Sequence, residues 1–257
     1  MRVANPAGGC EGTPRETGGV TRAVRMLCGL VGAALLSLAC DKGPPHRDIL
    51  GTEKKLYSQF DEELIIRDYF QDRRGGFFLD VGAADPTVNN TTYYLEKNLG
   101  WTGIAVDAVL DYSILWQLQR PKSRFFNYLV TDHAGTKDPF YKAGVRTLSS
   151  TMKDRMWGDQ KVDSVEIQVP SITLDRLLDE QKVTHVDLVS MDIEESEPQA
   201  LAGFDIQRFR PSLVCIEAVE RVQPLIRDYF EKHGYRRIER YDASDQVNWY
   251  FEPREPK

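Results

Sequence analysis

The sequence predicts an α/β fold built on a doubly wound, mostly parallel sheet with helices on both faces. Short apolar runs alternate along the chain with segments of helical periodicity, which is the pattern of successive βαβ units. Several apolar runs are also closed by an acidic residue, so these residues would line one edge of the sheet. Doubly wound sheets bind ligands at that edge, where the strand order reverses. The residues in question are Asp80, Asp107, Asp132, Asp192 and Glu217.

The first half of the chain predicts three strands separated by helices. A helix should come first, because Leu56, Phe60 and Leu64 can share one of its faces. Each of the three strand candidates is short, apolar and followed by a polar residue, which is typical of a buried parallel strand that feeds a turn. The predicted elements are a helix over Glu53–Gln71, a strand over Phe77–Gly82, a helix over Asn89–Leu99, a strand over Gly103–Asp107, a helix over Tyr112–Gln119 and a strand over Arg124–Thr131.

The second half begins with a polar, interrupted stretch, Lys137–Ile172. The alternation in Val165–Val169 predicts an insertion with one or two strands, and we expect this insertion to bear on substrate. Helices and strands then alternate again, and Gly234 is a stop signal for the last helix. The predicted elements are helices over Leu174–Gln181, Glu197–Phe204 and Val222–His233, core strands over Val186–Asp192 and Leu213–Glu217, and a terminal antiparallel pair over Tyr235–Tyr241 and Val247–Phe251.

The length and charge of the chain limit the classes of function. With 257 residues, one domain and an extension are expected rather than two full domains. The net charge of -6 gives no basic surface for nucleic acid, so no nucleic-acid partner is expected. Cys215 is the one cysteine beyond residue 40, which excludes a disulfide framework in the folded part.

The first 52 residues read as a leader and linker that precede a folded domain over residues 53–257. Two arginines precede an apolar run at residues 26–39, and Cys40 follows it, which is a secretory signal pattern. The run is too short to span a bilayer. Its end resembles a bacterial lipobox, although Ser37 stands where Leu is usual, so membrane attachment through Cys40 is one expectation. The alternative is a short hydrophobic tail that is not processed.

The loop after the first strand favours S-adenosylmethionine over a dinucleotide. Gly82 and the small Ala83 permit close approach of a ligand to the backbone, and Asp107 can accept hydrogen bonds from ribose hydroxyls. The G-x-G-x-x-G spacing that seats a pyrophosphate is absent. Asp85 would repel a diphosphate but tolerate a cationic sulfonium. A NAD-dependent reductase therefore stands as the weaker alternative.

Five stretches together resemble the FkbM family of S-adenosylmethionine-dependent methyltransferases, over about Tyr57 to Phe251. The resemblance implies a Rossmann-like class I methyltransferase fold with a seven-stranded sheet. It also implies that the acceptor is a hydroxyl on a sugar, glycan or small natural product. The stretches that carry it are Phe77–Ala83, Asn90–Glu96, Gly100–Asp107, Ile172–Asp175 and Asp187–Glu197.

The resemblance also implies roles for single residues. It places Asp80 and Gly82 at the methionine part of the cofactor, Asp107 at the ribose and Asp132 near the adenine. Ala83 and Asp85 belong to the same predicted cofactor loop. The late acidic motif of the family matches Asp192, Glu194 and Glu197 of this chain.

Two positions depart from the family pattern. Glu195 stands where the family usually has Gly, which adds charge and removes backbone freedom beside the predicted site. The second strand ends on Asp107-Ala108 where Glu-Pro is more frequent, and an Asp can still bind the ribose. The Glu195 departure permits a second hypothesis, a catalytically inactive binding or scaffold module of the same fold.

Methyl transfer to a hydroxyl needs an aligned acceptor and a group that takes its proton. Asp192 is the first candidate for base or substrate orientation, and Glu194 is the second. We expect no metal, and a divalent cation on Asp192, Glu194 and Glu217 is the alternative interpretation of these acids.

The predicted leader and the predicted cofactor imply different cellular locations for the protein. S-adenosylmethionine is made in the cytosol, whereas a processed lipoprotein signal would carry the domain out of it. An unused leader fits a cytoplasmic or membrane-associated protein, and a processed Cys40 fits a lipid anchor outside the cytosol. The sequence leaves both locations open.

Overall fold

A computed structural model describes residues 46–144, 149–153, 156–157 and 160–254. The expectations for Cys40 and for the apolar run before it concern residues outside this description. The contacts within the chain divide it into two units. The second unit, residues 45–257, contains every helix and strand described in this section.

No helix in the described part of the chain is long and apolar enough to cross a membrane.

The centre of the fold is a seven-stranded sheet with the order β11-β12-β10-β9-β1-β2-β3. Strands β3, β2, β1, β9 and β10 are parallel, and β12 is antiparallel to both of its neighbours. The predicted doubly wound sheet with a terminal antiparallel pair is therefore confirmed. The strands are β1 (Phe77–Val81), β2 (Thr102–Asp107), β3 (Ser123–Asn127), β9 (Leu188–Met191), β10 (Leu213–Glu217), β11 (Tyr235–Arg237) and β12 (Asn248–Pro253).

Eight α-helices lie among the described residues, and most of them connect strands of the central sheet. They are α1 (Ile49–Thr52), α2 (Glu62–Phe70), α3 (Tyr93–Leu99), α4 (Ser113–Gln119), α5 (Leu174–Glu180), α6 (Glu197–Ala202), α7 (Ile206–Phe209) and α8 (Gln223–Lys232). Among the same described residues, single 3₁₀ turns lie at Leu110–Tyr112 and Glu239–Tyr241.

The predicted insertion forms a second, three-stranded sheet with the order β4-β8-β5. Its long strands pair antiparallel, so that Phe140 lies opposite Ile167. Strands β6 and β7 form a separate small hairpin. The strands are β4 (Leu129–Val130), β5 (Lys137–Ala143), β6 (Met156–Trp157), β7 (Gln160–Lys161) and β8 (Ser164–Ile172).

Hydrophobic cores cover both faces of the central sheet because successive residues of a strand point to opposite faces. On β1, Leu79 and Val81 belong to one cluster of buried side chains, and Phe78 belongs to another. The same division holds on β10, where Val214 and Cys215 fall into different clusters. Continuous apolar runs therefore predicted these strands correctly, since both of their faces are buried.

The first long helix begins at Glu62 and not at Glu53 as predicted. Two carboxylates bind the backbone upstream: Glu63 accepts the N–H groups of Leu56 and Tyr57, and Glu62 accepts that of Phe60. These bonds hold the segment in a non-helical turn, as side-chain bonds to the backbone commonly do. A further helix, α1, lies before the predicted domain start at residue 53, inside the predicted linker.

The third strand of the central sheet ends at Asn127, four residues before the predicted end at Thr131. Its last side chain donates hydrogen bonds to the carbonyls of Asp107 and Ala108. The chain then leaves this sheet, and Leu129 and Val130 pair with β8 of the insertion instead. An apolar run does not reveal which sheet its residues join, so the run predicted one strand where there are two.

Candidate functional site

A cavity of about 780 Å³ opens at the carboxyl ends of β1, β2, β9 and β10. Strands β1 and β9 are neighbours in the sheet although the chain visits β2 and β3 between them, so this is the switch point of the strand order. The predicted site residues that line the cavity are Asp80, Gly82, Ala83, Asp85, Asp107, Asp192 and Glu194. The volume is within the range of ligand pockets.

Asp80 is a buried carboxylate near the end of β1. The hydroxyl of Thr92 donates to its Oδ2 at 2.7 Å, and the guanidinium of Arg120 donates in turn to that hydroxyl at 3.1 Å. The pKa of Asp80 is raised to about 6, mainly by burial and also by the nearby charge of Asp192, while Thr92 and Arg120 oppose the shift. The carboxylate is therefore fixed in position and sensitive to charge in the cavity.

Gly82 allows the loop after β1 to pass very close to the end of β9. Its φ is +81°, and a Cβ at this position would lie 1.8 Å from the carbonyl oxygen of Asp192. A side chain would therefore push the two strand ends apart. The glycine that the sequence marks for close approach to a ligand also brings the cofactor loop and the late acidic motif together.

Asp107 ends β2 on the opposite side of the cavity from the late acidic motif. Its Oδ2 accepts the backbone N–H of Ala84 at 2.9 Å, and its Oδ1 accepts that of Val109 at 2.7 Å. Burial raises the pKa of Asp107 to about 6, and these two backbone donors counteract the shift. Each carboxylate oxygen keeps a second lone pair, so the pair of oxygens can still accept two hydroxyl donors.

Asp85 shapes the loop between these two acids. One oxygen of its carboxylate accepts the backbone N–H groups of Thr87 and Val88, both at 2.9 Å, which is an Asx turn. The side chain of Asn90 donates to the carbonyls of Ala83 and Asp85. Ala83 and Asp85 thus line the cavity in a loop that is fixed by its own hydrogen bonds.

The late acidic motif follows β9, the neighbour of β1 in the sheet. Asp192 is exposed to the cavity, and Glu194 also lines it. Glu197 lies underneath, fully buried, with Oε1 accepting the N–H of Ile193 at 2.9 Å. The pKa of Glu197 is raised to about 7, mainly by burial and also by the charges of Asp192 and Glu194. The predicted pair Asp192 and Glu194 therefore lies close to buried Glu197.

Glu195 adopts a left-handed backbone conformation with φ 73°, directly after Glu194 at φ 59°. This is the conformation that favours glycine, and the departure from the family pattern falls on this position. The Glu195 carboxylate turns to Arg221 and forms an ion pair with it. Glu195 is absent from the cavity lining, whereas its neighbour Glu194 is part of it.

Asp132 is not brought to the cavity. It is half-exposed and bonds His133 Nδ1 at 2.7 Å, and the other ring nitrogen of His133 bonds Asp138. The cause is the early end of β3 at Asn127, which moves the chain into the second sheet before Asp132 is reached. On this side Tyr128 and Leu129 line the cavity in its place.

Arg120 is the main structural residue of the site that the sequence analysis missed. It is fully buried and donates to Glu96 Oε2 at 2.8 Å, to the carbonyl of Pro86 at 2.9 Å and to Asn90 Oδ1 at 3.0 Å. Arg120 thereby ties the cofactor loop to α3. An arginine after a helix usually lies in solvent, and nothing local in the sequence distinguishes this one.

The solved structures that resemble this fold remotely include three methyltransferases, and comparison with curated proteins gives no match. A TehB-like SAM-dependent methyltransferase from Corynebacterium glutamicum is 13% identical, with a TM-score of 0.41 over 80% of this chain and 91% of that one. A putative RNA methyltransferase from Pyrococcus horikoshii has a TM-score of 0.35 at 13% identity, over 75% of this chain and 82% of that one.

The third is the 1,6-didemethyltoxoflavin-N1-methyltransferase of Burkholderia thailandensis, with 1,6-didemethyltoxoflavin and S-adenosylhomocysteine bound. It has a TM-score of 0.34 at 13% identity, over 74% of this chain and 74% of that one. The family assignment rests on a different comparison. The family model described as a methyltransferase FkbM domain matches residues 80–237, from the acid of β1 to the end of β11. This match spans more than half of the chain, and the chain belongs to the FkbM family of S-adenosylmethionine-dependent methyltransferases.

Proposed function

We propose that this chain transfers the methyl group of S-adenosylmethionine to a hydroxyl group on a sugar, glycan or small natural product. The observation that carries the proposal is that two groups of acids from different strands line one cavity. We call the lining at Asp80 and Asp107, on β1 and β2, the first end and the lining at Asp192 and Glu194, after β9, the acceptor end. The first end suits a cationic nucleoside, and the acceptor end suits an acceptor that must lose a proton.

The residues of the first end fit the cofactor chemically. The carboxylate oxygens of Asp107 suit the two ribose hydroxyls, since carboxylates are pure acceptors when ionised. Buried Asp80 suits the positive charges of the methionine part, because an opposite charge is attracted strongly where water is excluded. Val106, Val109 and Leu129 add apolar surface beside Asp107 for a base. Asp132 has no part in this proposal.

When bound, S-adenosylmethionine supplies an electrophilic methyl group on a sulfonium. The chain's own task is then to align the acceptor oxygen and to accept its proton. Asp192 follows β9 and is exposed to the cavity, so it can hydrogen-bond an acceptor hydroxyl there. Glu194 is the second candidate for the proton, since it lines the same end.

The test is a methylation assay with the full chain, S-adenosylmethionine and a panel of hydroxyl acceptors. We expect release of S-adenosylhomocysteine together with one methylated acceptor class, identified by mass spectrometry. Replacement of Asp192 by Asn should lower the rate by about 100-fold or more, the usual contribution of a positioned acid or base. The matched control Asp228→Asn, on an exposed side chain of α8, should leave it unchanged.

Two other results would contradict the proposal. Methylation of nitrogen acceptors alone would overturn the hydroxyl assignment. Binding of S-adenosylmethionine without any release of S-adenosylhomocysteine would favour the inactive binding module that the Glu195 departure permits.

A further inference from the structure

Three carboxylates converge at the acceptor end of the cavity from three different elements. Asp192 follows β9, Glu197 begins α6, and Glu217 ends β10. One oxygen atom from each residue can be chosen so that all three lie within 4.8 Å of one another. Three carboxylates from different parts of the fold thus meet at one point.

Glu197 contributes an observation that points to a ligand. The side chain is completely buried, and its Oε1 already accepts the N–H of Ile193 at 2.9 Å. Its Oε2 is also shielded from solvent and has no hydrogen-bond partner in the described part of the chain. A buried carboxylate oxygen without a partner is costly, so native proteins normally supply it with a donor, a water or an ion.

The spacing of the three oxygens fits a hard divalent cation. Calcium lies about 2.3–2.6 Å from its oxygen ligands and magnesium about 2.0–2.1 Å, so two ligands of one ion are at most about 5 Å apart around calcium and about 4 Å apart around magnesium. Carboxylate oxygens are the preferred ligands of both ions. Asp192 and Glu217 line the cavity while Glu197 lies behind them, so an ion held by all three would face the cavity.

We propose that Asp192, Glu197 and Glu217 bind one hard divalent cation, Mg²⁺ or Ca²⁺, at the acceptor end of the cavity. The set differs from the one that the sequence suggested, because buried Glu197 takes the place of Glu194. The cation binds to the chain itself, so this site does not depend on a particular acceptor.

The role of the cation in the reaction rests on the proposed function. Protein ligands fill three coordination positions, and the positions toward the cavity can take the oxygen atoms of an acceptor. A hydroxyl bound to a divalent cation loses its proton more readily and is held in place. Asp192 then orients the acceptor through the cation, and Glu194 receives the proton. The preferred acceptors would carry two neighbouring oxygen atoms that chelate the ion.

The test measures binding of the metal directly and needs no activity assay. The full chain is stripped with a chelator and titrated with Mn²⁺ by electron paramagnetic resonance, then with Mg²⁺ and Ca²⁺ as competitors. We expect one Mn²⁺ per chain, displaced by Mg²⁺ or Ca²⁺, and a midpoint of thermal unfolding that rises with the concentration of either ion.

Two variants probe the ligands. Asp192→Asn changes an exposed side chain and should fold normally, and it should weaken Mn²⁺ binding about tenfold or more, as should Glu217→Gln. Glu231→Gln removes the same charge from the exposed surface of α8 and should bind Mn²⁺ like the wild type. Stoichiometric binding that survives both site variants would overturn the assignment, and so would no binding at millimolar Mn²⁺.

The outcome also separates this inference from the proposed function. Metal binding without methyl transfer would retain the site and refute the reaction. Methyl transfer at full rate after chelation, together with no Mn²⁺ binding, would retain the reaction and refute the site.

Discussion

At the residue scale, the site depends on carboxylates whose positions are set by backbone donors. Asp107 is the clearest case, because the N–H groups of Ala84 and Val109 hold its two oxygens on either side. Asp80 is held by a hydroxyl and by the guanidinium behind it. Such side chains lose little freedom when a ligand binds, so their hydrogen bonds contribute more fully to affinity.

Replacement of Asp107 by Asn tests the proposed contact of this residue with the ribose. We expect the affinity for S-adenosylmethionine to fall about 10- to 100-fold, because a hydrogen bond to a charged group contributes about 1.5–3 kcal/mol. Isothermal titration calorimetry measures the change. Asp111→Asn is the matched control, since Asp111 is exposed and pairs with Lys142 at the surface. Equal affinity of Asp107→Asn and the wild type would refute the contact.

Variants of Glu195 test its backbone strain, because this residue adopts a left-handed conformation that suits glycine. Both Glu195→Gly and Glu195→Ala remove the ion pair with Arg221, but only glycine adopts this conformation without steric cost. The Gly variant should therefore be about 1 kcal/mol more stable than the Ala variant in urea unfolding. An Ala variant as stable as the Gly variant would show that the strain is absent.

At the element scale, the cofactor loop is fixed by the buried guanidinium of Arg120, which lies directly after α4. It contacts the loop at Pro86 and Asn90 and contacts α3 at Glu96. The loop can therefore keep its shape although few of its backbone groups belong to a helix or strand. A pre-formed loop of this kind favours binding without a large loss of entropy.

Replacement of Arg120 by Met should lower the free energy of unfolding by about 3–5 kcal/mol, because it leaves a buried carboxylate without its partner. The double variant Arg120→Met with Glu96→Leu should recover part of this loss, since the unpaired charge is then absent. Denaturant unfolding measures both, and Arg124→Met, at an exposed position on β3, is the control. A loss below about 1 kcal/mol for Arg120→Met would contradict the structural role.

Elements were predictable from the sequence wherever local pattern decides them. β1, β2 and β10 are buried on both faces, and their apolar runs mark them almost to the residue. The start of α2 was mispredicted because Glu63 binds the backbone of residues 56 and 57, a contact that a periodic pattern does not contain. The predicted end of β3 was wrong for a similar reason, because the residues that follow the strand, Leu129 and Val130, pair with the distant strand β8.

The candidate site was predictable to the extent that it depends on strand ends. Asp80 lies near the end of β1, Asp107 ends β2 and Asp192 follows β9, and all three line one cavity where these strands end. Asp132 did not reach that cavity, because its position depends on where β3 ends. Buried Arg120 and the convergence of Glu197 with Glu217 depend on tertiary packing, which no spacing along the chain reveals.

At the scale of the whole molecule, several carboxylates are buried at a cost that depends on pH. Burial raises the pKa of Asp80 and Asp107 to about 6, and that of Glu62 and Glu197 to about 7. In the unfolded chain these groups return to their ordinary, lower values. At pH values between the ordinary and the raised pKa, the folded chain therefore binds more protons than the unfolded chain. At higher pH these buried carboxylates are charged, and their charge destabilises the folded chain.

The metal-free, ligand-free protein should consequently be more stable at about pH 5.5 than at about pH 8, since its buried carboxylates take up protons as the pH falls through about 7 to 6. Urea unfolding at the two pH values measures the difference, and one pKa unit is worth about 1.4 kcal/mol. Affinity for a cationic ligand should change in the opposite direction, because protonated Asp80 no longer attracts it. Lower stability at the acidic pH would show that other groups dominate.

We propose that the cavity at Asp80 and Asp107 binds S-adenosylmethionine, and calorimetric titration of the full chain tests this binding most directly. We expect saturable binding of one molecule per chain. We also expect displacement by S-adenosylhomocysteine and none by NAD⁺, because Asp85 and the absent dinucleotide glycines disfavour a pyrophosphate. No binding at millimolar S-adenosylmethionine, or displacement by NAD⁺, would contradict it.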